Sequence, residues 1–364
     1  MDTISVRGAP AEYVSGSGIL DQLETKLLER GFRKVLIVHG RKSWQAARPY
    51  WPSFRTVTFE EYTYGGECSF SEIERVEKLI RAASYDAVIG VGGGKVLDLV
   101  KAAAHLARKP FVLIPTLASN CSAWTPISVI YDDKGQFARF DIYPESAGLM
   151  LIEPAIQVSA PVRLLTAGIG DTLAKWYEAD VQIAVIRNRP APLEISYYAA
   201  RRCLDLLTGH SSGAVRAAES GTVNDDFLRV SEAIIVYGGM VGGFGDKYGR
   251  IAGAHAVHNG LTVLEETHHA YHGEKVAYGI LVQLVLENKI DEIRKLLPFY
   301  RQLHLPVSLS ELGITDVTAE AIDKVAAKTV VPGESIHVMP IGPITKQRVS
   351  DAMEKLEQII KDNA

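Results

Sequence analysis

The chain has 364 residues, 47% apolar and 23% charged, a composition that excludes disorder and collagen-like repeats and suits two ordinary domains. Lys and Arg number 39 against 43 Asp and Glu, a net charge of −4 that gives no electrostatic reason to bind nucleic acid or an anionic membrane. No run approaches the roughly 18 consecutive apolar residues of a membrane span; with no secretory signal at the start and three cysteines (Cys68, Cys121, Cys203) lacking a C-x-x-C pair, reduced thiols in the cytoplasm are expected.

Up to about residue 158, short apolar runs alternate with helix-spaced stretches. Residues 19–30 carry helix spacing, 34–38 (KVLIV) read as a buried strand, 70–83 as a helix and 85–90 (YDAVIG) as a second strand ahead of a helix at 95–107. Residues 111–114 (FVLI) and 128–131 (SVIY) complete a set of short, β-branched strands bounded by Gly or Pro. Such alternation predicts a parallel, Rossmann-like sheet with helices on both faces, an α/β domain over residues 1–158. Beyond Pro161, residues 163–184, 196–207, 225–237, 274–288, 290–303, 319–328 and 345–362 all read as helices. The last carries Val349, Met353, Leu356 and Ile360 on one stripe. An all-α domain over residues 159–364 is therefore expected, with no internal repeat.

Gly90-Val-Gly92-Gly93-Gly94-Lys95-Val-Leu-Asp98 follows a strand and opens a helix. Glycines let backbone N–H groups approach an anion, and the helix N-terminus adds about half a positive charge at the same place. The cluster is either a structural turn or a pyrophosphate cradle, and its place in an α/β unit favours the cradle. It matches neither G-x-G-x-x-G nor the P-loop pattern. After the first strand comes His39-Gly40-Arg41-Lys42-Ser43, with no acid for a ribose hydroxyl and two bases, so Arg41 is either part of a solvated turn or the partner of a 2′-phosphate.

Five of the ten histidines lie between residues 255 and 272. His255 and His258 share a helical face, His272 opens the next helix, and Asp171, flanked by glycines, is the best carboxylate to complete a three-ligand metal site. Surface or packing roles are the competing explanation. His268 and His269 read as loop neighbours rather than ligands.

GGGK-x-x-D, Pro115-Thr116, GIGDTLAKWYEA at 168–179, HAVHNGLT at 255–262 and YHGEKVAYG at 271–279 together resemble the iron-containing alcohol dehydrogenase superfamily, close to its glycerol dehydrogenases, over nearly the whole chain. The resemblance implies that NAD or NADP and one divalent metal meet in a cleft between the two domains. It makes Asp171, His255 and His272 the metal ligands. Gly92, Gly93, Gly94, Lys95, Asp98, Thr116 and Ser119 become nucleotide contacts, joined by Thr125, Ile127 and Tyr131. Iron-activated members place a histidine four residues after the aspartate; Lys175 stands there, which favours zinc over iron. Glycerol dehydrogenases carry a polyol-binding aspartate where this chain has Cys121, and Ser119-Asn120-Cys121-x-x-Trp124-Thr125-Pro126 looks like the hydroxycarboxylate dehydrogenase subgroup.

The expectation is a metal-dependent NAD(P)H oxidoreductase that interconverts 2-oxo acids and 2-hydroxycarboxylates, working as a homo-oligomer. Cys121 would leave the cleft without a repelling carboxylate, Lys247 or Arg250 would meet the substrate carboxylate, and His258 would relay protons. The first alternative is a glycerol or polyol dehydrogenase. The others are a dehydroquinate synthase-like lyase, which would need more bases around the cleft, and a non-catalytic metabolite binder, which would be expected to lose ligands.

Overall fold

The computed structural model describes residues 3–363. In chain order it contains β1 (Tyr13–Ser15), α1 (Leu23–Glu29), β2 (Lys34–His39), α2 (Arg41–Ala47), β3 (Thr58–Thr63), α3 (Phe70–Ala82), β4 (Ala87–Gly92), α4 (Gly94–Ala107), β5 (Phe111–Pro115), β6 (Ile127–Tyr131), β7 (Phe137–Ile142) and β8 (Leu149–Ile152). Then follow α5 (Pro154–Val158), α6 (Val162–Ile183), α7 (Ala191–Ser220), α8 (Asp225–Glu232), α9 (Gly238–Gly245), α10 (Gly253–Leu261), α11 (His272–Leu286), α12 (Ile290–Gln302), α13 (Ala319–Thr329) and α14 (Lys346–Asp362).

Six strands form one parallel sheet in the order β1-β8-β5-β4-β2-β3. Strand alternation sends Val35, Ile37, Ile89, Val91, Val112 and Ile114 to one face, where Leu23 and Leu27 of α1 pack on them. Leu36, Val38, Val88, Leu113 and Met150 face the other side, and their core runs through α4 into the helical half as far as Tyr278 and Met353. The expected Rossmann-like sheet followed by helices is what the chain forms.

Several elements differ from expectation. Residues 128–131 do not join the parallel sheet; β6 pairs antiparallel with β7 in a separate hairpin, its residues alternating between buried and half-buried. That alternation suits a ribbon with one open face rather than a strand covered on both. The place beside β5 goes instead to β8, which lies between β1 and β5 and whose four residues LMLI are all buried and too few to show a period. The basic stretch after β2 is the first turn of α2. Helix α7 runs for 30 residues, far beyond 196–207, and stops at Gly221 in the left-handed conformation (φ 64°). Residues 225–237 pass through a π-helical turn at Ala233–Tyr237 into α9, whose sequence GGMVGGFG has little helix propensity of its own. Close packing holds it: a Cβ on Gly239 would lie 2.5 Å from Trp124, and one on Gly243 would lie 2.7 Å from the Arg7 carbonyl. By length and composition alone the Asp225–Gly249 helix could cross a membrane, yet more than half of its most apolar stretch is buried in the core.

Between β5 and β6 the chain forms a long loop, residues 116–126, that lies against both halves. Lys101 of α4, 1% exposed, reaches under it. Its ammonium donates to the carbonyls of Ser122 (2.7 Å), Thr125 (3.0 Å) and Ile127 and pairs with Asp98 Oδ1 at 3.0 Å. Every donor is satisfied, which is what a buried lysine requires. Replacing Lys101 with Met leaves Asp98 and three carbonyls without their cation, and we expect a loss of about 3–5 kcal/mol of unfolding free energy in urea. A loss within the roughly 0.5 kcal/mol typical of surface substitutions would contradict this role.

Candidate active site

From β2 the chain moves outward to β3, then returns to β4 on the other side of β2. The crevice beyond the carboxyl ends of β2 and β4 is thus the point where strand order reverses, the place where open α/β sheets bind ligands. Two helices start there, α2 after Gly40 and α4 after Gly93. Ser43 Oγ ties the turns together by donating toward the carbonyls of Gly40 and Val91, each at 3.0 Å. No side chain caps α4, so its first N–H groups remain available to an anion. The glycines also serve packing: a Cβ on Gly92 would lie 2.8 Å from Val96, and one on Gly94 would lie 2.7 Å from Asn120 Nδ2.

The expected nucleotide contacts divide into three groups. Thr116 follows β5 with its N–H donated to the Gly92 carbonyl (3.1 Å), and Ser119 lies half-buried just beyond. Lys95 and Tyr131 meet at the rim, the ammonium 5.4 Å from the ring and bonded to Glu67 at 2.6 Å. Thr125 and Ile127 turn their carbonyls to Lys101. Asp98 departs from expectation: its carboxylate is taken by Ser122 Oγ (2.5 Å), Val129 N (3.0 Å) and Lys101, because that buried ammonium needs a counter-charge. It clamps the loop instead of offering oxygens to a nucleotide. Arg41 is exposed at the first position of α2.

On the helical side, one ligand atom from each of Asp171, His255 and His272 falls within 4.8 Å of the others. Asp171 Oδ1 stands 3.3 Å from His255 Nε2 and 3.2 Å from His272 Nε2, yet it is buried and has no hydrogen-bond partner among the described residues. The three atoms lie close without being aligned for hydrogen bonds to one another, and an Asp–His–His donor set suits a divalent cation such as zinc. Backbone contact sets their spacing. A Cβ on Gly273 would sit 1.8 Å from the Ala167 carbonyl and one on Gly170 would sit 2.7 Å from the Gly273 carbonyl, so α6 and α11 cross with nothing between them.

Sequence reasoning missed the group that holds His255. Glu178, buried two turns beyond Asp171, accepts from His255 Nδ1 (2.7 Å), His255 N (2.9 Å) and Ala252 N (2.7 Å). The spacing of seven residues on one helix face was visible in GIGDTLAKWYEA. Burial opposes a charged His255, but Glu178 and Asp171 outweigh it and hold its pKa up to about 9. The point between these carboxylates thus favours positive charge, proton or metal ion alike. His258 is the opposite case. Burial, then the neighbouring His272 and His255, push its pKa well down, leaving it neutral. Its Nε2 lies 3.0 Å from His272 Nδ1 and its Nδ1 lies 3.1 Å from Asn259 Oδ1. With His272 Nε2 turned to the cluster, Nδ1–H donates to His258, whose own N–H donates to Asn259; Asn259 in turn donates to Glu334 (3.2 Å).

Cys121 lies beside this cluster. A Cβ on Gly238 would lie 3.7 Å from Cys121 Cβ and 3.6 Å from Thr172 Cγ2, and burial raises the thiol's pKa, so the residue is neutral. Lys247 is elsewhere, in the exposed turn after α9 with its ammonium 5.3 Å from the Tyr248 ring, and Arg250 is held by Asp246 at 3.3 Å. His268 and His269 are exposed in the loop before α11.

A sequence profile of the iron-containing alcohol dehydrogenase family matches residues 10–149. The chain is 39% identical over 358 residues to hydroxycarboxylate dehydrogenase A of Escherichia coli (strain K12), covering 97% of this chain and 98% of that protein. It is 36% identical over 358 residues to a glycerol dehydrogenase of Thermotoga maritima, covering 96% of each. The crystal structure of a probable glycerol dehydrogenase from Sinorhizobium meliloti 1021 superposes with a TM-score of 0.87 at 33% identity, over 98% of both chains. The likenesses to these three relatives cover 96–98% of the chain, through the glycine cluster and the histidine cluster alike, and rank an oxidoreductase above a lyase. The chain belongs to the iron-containing alcohol dehydrogenase family and is a dehydrogenase acting on CH–OH donors.

Proposed function

We propose that this dehydrogenase interconverts 2-oxo acids and 2-hydroxycarboxylates, using NAD or NADP and one divalent metal ion, zinc in preference to iron. The observation that carries the metal reading is the buried, unpartnered Asp171 Oδ1 facing two imidazole nitrogens. For the substrate it is the neutral thiol of Cys121 beside that cluster, where a polyol enzyme would place a carboxylate. The name of the Escherichia coli relative points the same way. Relatives named glycerol dehydrogenase keep polyol oxidation as the second reading.

Asp171, His255 and His272 would hold the metal ion, and Gly93, Gly94 and the start of α4 would take the pyrophosphate, with Thr116 and Ser119 beyond them. When bound, the metal ion would polarise the substrate oxygen and the nicotinamide would exchange hydride with its carbon. Glu178 fixes the ring of His255 and His258 fixes that of His272, so both present Nε2 to the cluster. With both ring nitrogens engaged, His258 is a positioning residue. Burial of Cys121 keeps it a thiol, and the cleft gains no negative charge from it. Arg41 would face the 2′-phosphate of NADP. We place the domain boundary at residues 158–159, after α5. Three free thiols support a reducing, cytoplasmic setting, and the exposed Phe137, Phe140 and Ile142 of the hairpin support a homo-oligomer.

Three measurements follow. Glu178→Gln should weaken zinc binding to metal-free protein by about 10- to 100-fold in a competitive chelator titration; unchanged affinity would remove Glu178's role in orienting His255, and no zinc binding by wild type would remove the metal reading. A carboxylate placed about 4 Å from another costs roughly 4 kcal/mol at an effective dielectric near 20, so Cys121→Asp should depress kcat/KM for pyruvate far more than for dihydroxyacetone. Wild type favouring dihydroxyacetone, with no selective loss in the variant, would support the polyol reading instead. If Arg41 meets a 2′-phosphate, Arg41→Ala should weaken NADPH on the order of 10- to 150-fold relative to NADH. Equal losses for both would make Arg41 a solvated helix start.

A further inference from the structure

Helix α6 presents one stripe to the cleft. A Cβ on Gly168 would lie 2.6 Å from Ser119 Cα, Asp171 faces His255 and His272, and Glu178 bonds to His255. Lys175 is four residues after Asp171 and three before Glu178, so its side chain belongs to the same stripe. It is half-buried, in the field of Asp171, Cys121 and Glu178. Among the described residues its ammonium has no hydrogen bond and no carboxylate within ion-pair distance, in contrast to Lys101, whose donors all find oxygens. Arg250 is committed to Asp246 and Arg163 to both oxygens of Glu274; Lys275, buried near His258, also lacks an ion pair among the described residues, but burial lowers its pKa whereas that of Lys175 is raised. An ammonium held in a protein pocket without a partner is costly unless a ligand supplies the counter-charge.

We propose that Lys175 is the specificity-determining residue of this site, its ammonium pairing with the carboxylate of a 2-oxo acid whose carbonyl oxygen is directed to the Asp171–His255–His272 cluster. The inference rests on the 2-oxo acid reading above and assigns the anion partner that the sequence sought in Lys247. Asp171 and Glu178 alone would repel a carboxylate; a divalent ion and Lys175 together reverse the sign of the pocket and favour a monoanion over an uncharged ketone. Burial acts to lower the lysine's pKa, but Asp171 and the other neighbours raise it, so the side chain stays charged at neutral pH.

The test compares Lys175→Gln and Lys175→Arg with wild type, after the metal content of each has been measured. Steady-state kcat/KM is determined for pyruvate and for dihydroxyacetone, together with inhibition by oxamate. Lys175→Gln should lower the pyruvate-to-dihydroxyacetone ratio on the order of 30-fold or more, chiefly through KM for pyruvate, and weaken oxamate in parallel. Lys175→Arg should recover part of the ratio. An unchanged ratio in Lys175→Gln, or equal losses of kcat on both substrates as for a proton donor or a structural residue, overturns the inference while leaving the 2-oxo acid reading intact. Wild type that reduces dihydroxyacetone but no 2-oxo acid removes both.

Discussion

The ammonium of Lys101 is the point on which the active-site geometry rests. One buried charge, balanced by Asp98, gathers the carbonyls of Ser122, Thr125 and Ile127 and so fixes the loop between β5 and β6. That loop touches everything else. Asn120 lies over Gly94 at the start of α4, Ser119 meets Gly168 of α6, and Cys121 and Trp124 meet Gly238 and Gly239 of α9. Trp124 also donates its indole N–H to the Gly8 carbonyl (2.7 Å), and Arg7 donates to Gly243 (2.9 Å), so the N-terminal segment straps the loop to the helical half. The glycines on the facing helices leave no side-chain layer that could slide, and a shift of the loop would move cradle and cluster together.

Charge organises the second part of the site. Asp171 and Glu178 are buried in the helical half, an arrangement costly in isolation. His255 stands between them and takes up positive charge readily, while His258 is kept neutral and accepts from His272. Both features match a site built for a cation. Folding of this region and metal binding should accordingly be linked, since the ion supplies the charge that the carboxylates demand. The chain from His272 through His258 and Asn259 to Glu334 carries the orientation of one ligand out to a remote carboxylate.

Much of this was legible from residues alone. Strand–helix alternation located the parallel sheet because strands buried on both faces leave dense apolar runs, as in KVLIV. Spacing and the family motifs singled out Asp171, His255 and His272, and the structure brings one ligand atom of each within 4.8 Å of the others. What stayed hidden depends on tertiary contact. β8 is too short to show a period, and α9 is helical only because Trp124 and Arg7 pack on its glycines. β6 left the sheet for a hairpin whose signal, the turn Asp132-Asp133-Lys134-Gly135-Gln136 with Gly135 at φ 78°, was passed over. Asp98 looked like a nucleotide ligand because its motif neighbours are glycines, and only the position of Lys101 shows where its oxygens go. Glu178 was readable as a helical i, i+7 partner of Asp171 and was passed over. Lys247 drew attention as a basic residue in an unusual loop, whereas Lys175, inside the motif itself, has the better position.

In the proposed reading, one loop brings a dinucleotide cradle and a cation cluster to bear on a single small ligand, with a neutral cysteine and a lysine setting its charge. Calorimetric titration of oxamate, a 2-oxo acid analogue, examines that claim directly, using metal-free protein, protein with zinc, protein with NADH, and protein with both. The account predicts measurable binding only when zinc and NADH are present together, each strengthening the other's effect. Equal oxamate affinity in all four states would contradict it.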